Sequence, residues 1–282
     1  FAHIRGNQNP KDPPPHPGFF RLTLQQKLHA LAEASQLPVD QLAALQSAGL
    51  TPDQAETMVE NAVGVFALPL GIGLNFVVNG RQVLVPMAVE EPSVIAGASF
   101  MAKLARGGGG FTAQTSEPLM IGQMQVLDLA DLPAARQSIL EKKQQLLEEA
   151  DTIDPVLQSL GGGARDLEVR LVDSSPIGPF LVVHLIYDVR DAMGANAVNT
   201  ACEKLAPRLE EITGGHVHLR ILSNLADRRL ARSTCTIPLP DLGFTSSGDE
   251  PRTFTGEQVR DGIIAAWAFA AVDPYRAATH NK

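Results

Sequence analysis

Glu90-Glu91-Pro92-Ser93 sets a carboxylate directly before a proline suited to the first turn of a helix. A carboxylate at that position caps free backbone N–H groups and complements the helix dipole. A carboxyl that keeps its proton through burial would instead serve as a general acid, and these residues alone leave both readings open. Asp188-Val189-Arg190-Asp191-Ala192-Met193-Gly194-Ala195-Asn196 falls where a predicted strand meets a predicted helix. Free N–H groups at such a junction can hold an anion such as a pyrophosphate, and Gly194 would let it approach the backbone closely. An ordinary polar helix start is the competing reading. Arg228, Arg229 and Arg232, with Asp227 among them, read as a solvated helix face that could attract an acidic substrate. His216 and His218 share one face of a predicted strand and could bind a metal, but without a nearby acidic or cysteine partner expected there they read as solvated histidines. The closing residues from Arg276 to Lys282 carry two cations and a histidine, and taken alone they read as an exposed terminus.

Other chemistries find no support. No G-x-G-x-x-G follows a predicted strand, since Gly71-Ile72-Gly73 lacks the third glycine, and no Walker-type phosphate loop is present. G-x-S-x-G and H-E-x-x-H are both absent. Cys202 and Cys235 are far apart, which excludes a disulfide scaffold or a cysteine zinc site and predicts a reducing, cytoplasmic setting. No metal is expected.

With 282 residues, 44% of them hydrophobic and 19% charged, the chain reads as globular, with one or two domains. A formal charge of -8 argues against nucleic acid as a partner. The apolar stretches 66–78 and 263–272 fall short of the roughly 18 residues that a membrane span requires. The first twenty residues hold five prolines and no signal-peptide core, so 1–18 reads as a flexible leader.

The elements that must position these groups follow from periodicity. Leu24, Leu28 and Leu31 recur at helical spacing, and a second short helix is expected after Pro38. Thr51-Pro52-Asp53-Gln54 and Thr255-Gly256-Glu257-Gln258 carry helix-start signatures, the second opening a helix that Asp273-Pro274 ends. Asn79-Gly80 predicts a tight hairpin turn into a strand at 82–87, and Pro92 opens a helix through Ala105 that Gly107–Gly110 ends. Strands are expected at 120–127, 167–171, 180–186 and 217–221, with helical faces over 134–150 and 198–212. A hairpin-like region is expected near 232–254. The order over 118–223 is β-α-β-β-α-β, a ferredoxin-like arrangement inserted into a larger domain.

Several segments together resemble the bacterial, class II type of hydroxymethylglutaryl-CoA (HMG-CoA) reductase. They are Glu60-Asn61-Ala62-Val63-Gly64 with Leu68-Pro69, Asn75-Phe76, Val85-Pro86-Met87-Ala88-Val89-Glu90-Glu91-Pro92-Ser93 and Leu160-Gly161-Gly162-Gly163. The run 188–200, Ile212-Thr213-Gly214-Gly215, 219–230 and 273–282 complete the set. The resemblance implies an α+β fold, in which a large mixed α/β HMG-CoA-binding and dimerisation domain (19–117 and 224–282) is interrupted by a small ferredoxin-like NAD(P)-binding domain (118–223). It implies reductive deacylation of HMG-CoA to mevalonate and coenzyme A, an oxidoreductase step of isoprenoid biosynthesis, or the reverse reaction in mevalonate degradation.

By the same resemblance, Glu91 is the catalytic glutamate and Lys282 the catalytic lysine, whose ammonium stabilises the oxyanion formed when hydride arrives. Ser93 and Arg276 hold the HMG carboxylate, and Asn224 lies at the edge of the active site. Asp191, Met193, Gly194, Ala195 and Asn196 form the cofactor loop, and Asp154 faces the adenosine ribose. A carboxylate there accepts from a 2′-hydroxyl and repels a 2′-phosphate, which implies NADH as cofactor ahead of NADPH. The Glu60–Gly64 stretch implies a homodimer with a shared active site, or a higher oligomer built from it. The resemblance implies that the family continues beyond Lys282 with glycine and a further helical segment, and that it also needs a downstream aspartate that tunes the lysine and a histidine on a mobile C-terminal region. The expectation is therefore that the polypeptide as written does not turn over although the whole gene product does. A catalytically incomplete module that only binds substrate and cofactor is the alternative.

Overall fold

The computed structural model describes residues 18–35, 37–42, 45, 49–247 and 250–280. The chain divides into two compact units, one holding the residues through 113 together with those from 233 onward, the other holding 114–232. Most of the leader expected at 1–18 lies outside the described residues.

In the first unit, α1 (Leu24–Ser35) and α2 (Val39–Leu42) pack through Leu28, Ala32 and Leu42, with Leu31 against them. α3 (Pro52–Met58) begins on a capping box. Thr51 Oγ1 accepts from the Gln54 N–H at 3.3 Å, while Gln54 Oε1 accepts from the Thr51 N–H at 2.9 Å. β1 (Leu70–Val78) and β2 (Arg81–Ala88) pair antiparallel across Asn79-Gly80. Both turn residues have positive φ, 49° and 74°, so the turn's twist matches that of the strands. α4 (Pro92–Arg106) is tied to β1 by Ser99: its Oγ accepts from the Leu74 N–H at 3.0 Å, and its carbonyl accepts from Asn75 Nδ2 at 2.9 Å. At the end of α4 the Gly110 N–H closes on the Ala105 carbonyl, and a Cβ at Gly110 would lie 2.5 Å from the Val77 carbonyl oxygen.

β3 (Phe111–Thr115) carries the chain into the second unit. There follow β4 (Leu119–Leu127), α5 (Leu132–Glu141), α6 (Lys143–Asp151), α7 (Pro155–Ser159), β5 (Gly163–Val172), β6 (Phe180–Asp188), α8 (Ala195–Thr213) and β7 (His216–Leu222). The four strands form one sheet in the order β5-β6-β4-β7, and every neighbouring pair is antiparallel. β6 lies inside the sheet and is buried on both faces, which explains its unbroken apolar run. Leu181, Val183, Leu185 and Tyr187 face the helices and pack with Met124, Val126, Ile139, Leu146, Leu205 and Leu209, all within 1% of full burial. Each such aliphatic side chain contributes roughly 1.5–3 kcal/mol.

β8 (Ala231–Cys235) returns the chain to the first unit, and the sheet there has the order β2-β1-β3-β8. α9 (Leu239–Leu242), a short antiparallel pair of β9 (Phe244–Thr245) and β10 (Thr253–Phe254), α10 (Gly256–Val272) and α11 (Pro274–His280) complete the described chain. α10 opens on a second capping box, Thr255 with Gln258. No helix among the described residues is long and apolar enough to cross a membrane.

Three expectations are corrected. The helix expected over 134–150 is two helices, because Lys142 leaves helical dihedrals and its N–H is shared between the Ile139 and Leu140 carbonyls. Arg228 and Arg229 lie in a turn and Arg232 in β8, not on a helix, and the guanidiniums of Arg228 and Arg229 are taken up by tertiary partners. Arg228 binds both oxygens of Glu168 at 2.9 and 2.8 Å. His216 does have an acidic partner, Glu210, at 2.9 Å. The Val217 N–H first, and His216 after it, hold that carboxyl below the usual range. No group of three or more metal-ligating side chains occurs among the described residues.

Candidate functional site

The antiparallel β1–β2 hairpin delivers the chain to Glu91, which occupies the N-cap position of α4. Its side chain accepts no hydrogen bond from a backbone N–H of the helix. The cap contact is made by the backbone, the Val94 N–H meeting the Glu91 carbonyl at 3.4 Å. The half-buried carboxylate instead accepts from Ser93 Oγ at 3.1 Å. The structure thus brings Glu91 and Ser93 together as one hydroxyl–carboxyl pair at the positive end of a 15-residue helix.

Arg276, also in the first unit, sits in the first turn of α11, where its N–H donates to Asp273 Oδ1 at 2.6 Å. Its Nε is buried and without a hydrogen-bond partner among the described residues. Such a donor costs free energy unless a ligand or water satisfies it. Lys282, the other expected catalytic residue, lies outside the described residues.

In the second unit the segment between β6 and α8 is fastened at Asp188, Arg190 and Ala192. Asp188, 2% exposed, ends β6. Its Oδ1 accepts from the Arg190 N–H at 3.0 Å, and its Oδ2 accepts from the guanidiniums of Arg190 at 2.5 Å and Arg165 at 3.0 Å. Both arginines also donate to the Gly161 carbonyl, Arg190 at 2.6 Å. This knot joins the glycine turn 161–163 to the segment holding Asp191, Met193 and Gly194. Arg190 itself is left-handed, with φ 52°.

Gly194 has φ 90° and stands at the N-cap of α8, and a Cβ there would lie 2.7 Å from Val189 Cβ. No side chain caps α8. The first N–H groups of a 19-residue helix, at Ala195 and Asn196, therefore point outward with the helix dipole behind them. Asp191 and Met193 are exposed beside them. An open cleft of about 460 Å³ lies alongside, lined by Ser116, Arg190, Asp191 and Arg229 among others.

Asp154 caps the short helix α7 by accepting from the Leu157 N–H at 2.9 Å, which leaves its second oxygen for a ligand. It stands at the opposite end of the 155–163 segment from Gly161, which Arg190 holds. Asn224 is exposed in the turn after β7, its carbonyl accepting from the Ala226 N–H. The sequence reading missed the Arg165–Asp188–Arg190 knot and the bonds of Arg229. The acceptors are backbone carbonyls and a carboxylate that the fold, not the sequence order, brings near.

The sequence model of the family described as hydroxymethylglutaryl-coenzyme A reductase matches residues 23–282. The 3-hydroxy-3-methylglutaryl-coenzyme A reductase of Archaeoglobus fulgidus is 49% identical over 266 residues, which is 94% of this chain and 58% of that protein. A probable 3-hydroxy-3-methylglutaryl-coenzyme A reductase of Borreliella burgdorferi is 31% identical over 228 residues, 80% of this chain and 49% of that one. The chain thus spans about half to three-fifths of the length of these relatives. Among solved structures, a reductase of the same name from Streptococcus pneumoniae superposes with a TM-score of 0.84 at 38% identity, covering 94% of this chain and 69% of that one. A class II reductase from the same organism, solved bound to NADPH, superposes with a TM-score of 0.82 at 38% identity, covering 94% of this chain and 69% of that one. With the match running from residue 23 to residue 282, the chain belongs to the hydroxymethylglutaryl-coenzyme A reductase family.

Proposed function

We propose that the protein carrying this chain interconverts HMG-CoA and mevalonate with coenzyme A, using NAD(P)H, and that the first unit holds HMG-CoA while the second holds the nicotinamide cofactor. The observation that carries this reading is the 49% identity with the Archaeoglobus reductase across 94% of the chain. Glu91 donates a proton or hydrogen bond at the reacting carbonyl, and Ser93 Oγ, 3.1 Å away, keeps its carboxyl oriented. Arg276 offers its unpartnered Nε to the carboxylate of the HMG group, and Ser93 turns its single O–H from Glu91 to that carboxylate when the substrate is bound. Lys282 supplies the positive charge that stabilises an oxyanion, and Asn224 lines the edge of the site.

The residues of the second unit fit a dinucleotide. The uncapped start of α8 suits the diphosphate, and Gly194 opens the backbone to it where a side chain would meet Val189. The free oxygen of Asp154 suits a ribose hydroxyl and opposes a 2′-phosphate, which favours NADH. Bound there, the cofactor supplies hydride.

Exposed Val63, Phe66, Leu68 and Leu70 support a homodimer formed through the stretch that begins at Glu60. A monomer by light scattering at micromolar concentration removes that assignment. Free Cys202 and Cys235 support a reducing, cytoplasmic setting. The test of the function is HMG-CoA-dependent oxidation of NADH or NADPH, with mevalonate identified as product, by the full-length protein and its Glu91→Gln variant. Mevalonate is expected from the wild type, and the variant is expected to lose about 100-fold or more while remaining folded. No mevalonate with either nucleotide overturns the reading, and unchanged turnover in the variant overturns the role of Glu91.

A further inference from the structure

Arg229, in the turn after β7, forks onto the segment between β6 and α8. Its Nη1 donates to the Ala192 carbonyl at 2.6 Å and its Nη2 to the Arg190 carbonyl at 3.2 Å. Its own N–H is tied to the Ala226 carbonyl at 3.1 Å, so the fork projects from a fixed turn. In a trans peptide the C=O and the following N–H point in opposite directions. Drawing the carbonyls of Arg190 and Ala192 toward one guanidinium therefore turns the N–H groups of Asp191 and Met193 away from it. Neither of these N–H groups has a protein partner among the described residues, although those of Arg190 and Ala192 on either side are bonded to Asp188 Oδ1 and the Val189 carbonyl. Arg190 reaches this arrangement only by adopting φ 52°, a conformation that costs a non-glycine residue free energy and persists where the surroundings enforce it.

We infer that Arg229 is a positioning residue for nucleotide binding: it sets the peptide planes 190–191 and 192–193 so that the N–H groups of Asp191 and Met193 face a dinucleotide's diphosphate beside the open start of α8. The inference rests on the reading of 191–196 as the cofactor loop. The two Nη donors of one rigid guanidinium reach both carbonyls at once, and the single nitrogen of lysine, on a flexible stem, is expected to reproduce that geometry poorly.

The experiment compares full-length wild type, Arg229→Gln and Arg229→Lys by amide hydrogen exchange without ligand, by NADH titration, and by steady-state kinetics. Both variants are expected to exchange about tenfold or more faster at the Arg190 and Ala192 amides, the bonded ones of this segment, with β4 and β6 unchanged. The Kd and KM for NADH are expected to rise about tenfold or more while the KM for HMG-CoA stays within about twofold. Unchanged exchange at the Arg190 and Ala192 amides in Arg229→Gln overturns the inference. So does faster exchange with undiminished nucleotide affinity, and so does wild-type behaviour of Arg229→Lys. A wild type that binds neither NADH nor NADPH overturns the cofactor-loop reading and the ligand named here, while the exchange data still decide whether Arg229 sets the loop.

Discussion

Asp188 and Arg190 hold each other twice across a single intervening residue: the carboxylate accepts from the arginine's backbone N–H at 3.0 Å and from its guanidinium at 2.5 Å. With Arg165 as a third donor, the buried carboxylate is fully committed to fixing the exit from β6. Asp188→Asn keeps the shape but turns an amide N–H₂ toward two guanidiniums. The expected loss is about 2–3 kcal/mol of unfolding free energy, less than for a wholly buried pair because both arginines reach solvent. Urea unfolding of the two proteins measures it. A loss below about 0.5 kcal/mol would mean that the knot only decorates the turn.

Gly194→Ala is expected to destabilise by about 2 kcal/mol or more, since alanine must adopt φ 90° and its Cβ would lie 2.7 Å from Val189 Cβ. The same substitution is expected to weaken NADH binding by displacing the start of α8. Equal urea midpoints for variant and wild type would show that the turn can relax around a methyl group.

Cofactor choice is expected to follow Asp154. The wild type should show the higher kcat/KM with NADH, and Asp154→Asn, which can still cap α7, should move the NADH-to-NADPH ratio about tenfold toward NADPH. Steady-state kinetics with both nucleotides decide it. A wild type that prefers NADPH overturns the assignment.

Alkaline pH is expected to erode stability from within the second unit. Burial, with Glu203 adding to it, pushes the Cys202 thiol from 9.0 to about 12, and burial with Asp154 and Asp151 pushes the Tyr187 phenol from 10.0 to about 12. The unfolded chain therefore releases these protons first. The stability they contribute is complete below pH 9 and falls as pH rises from 9 toward 12. Urea midpoints measured across that window should fall less steeply in Cys202→Ala than in the wild type. Parallel slopes would show that the thiol ionises freely in the folded protein.

Features written in a few adjacent residues were the legible ones. Pro92 and the glycines from 107 delimit α4, Thr51 and Thr255 open helices through capping boxes, and the apolar run of β6 marks a strand buried on both faces. Each depends on backbone chemistry within one or two turns. The break at Lys142 escaped because Ile139, Leu146 and Ala150 keep helical spacing straight across it. Arg229 escaped for another reason. Its acceptors lie 37 and 39 residues away and are main-chain oxygens, which every residue type carries alike. The candidate site was thus legible as a set of segments, through their resemblance to a family, and its internal bonding was not.

Ser116 has a bearing on more than its neighbours. Its N–H reaches the Leu230 carbonyl at 2.9 Å, and its hydroxyl donates to the Arg228 carbonyl at 2.9 Å and accepts from the Leu230 N–H at 2.8 Å. The points where the chain enters and leaves the second unit are therefore laced together by one serine. A segment whose two ends meet in this way is portable: a short turn could join them into a circularly permuted protein, and a surface loop of an unrelated scaffold could accept the whole of 114–232 as a cassette.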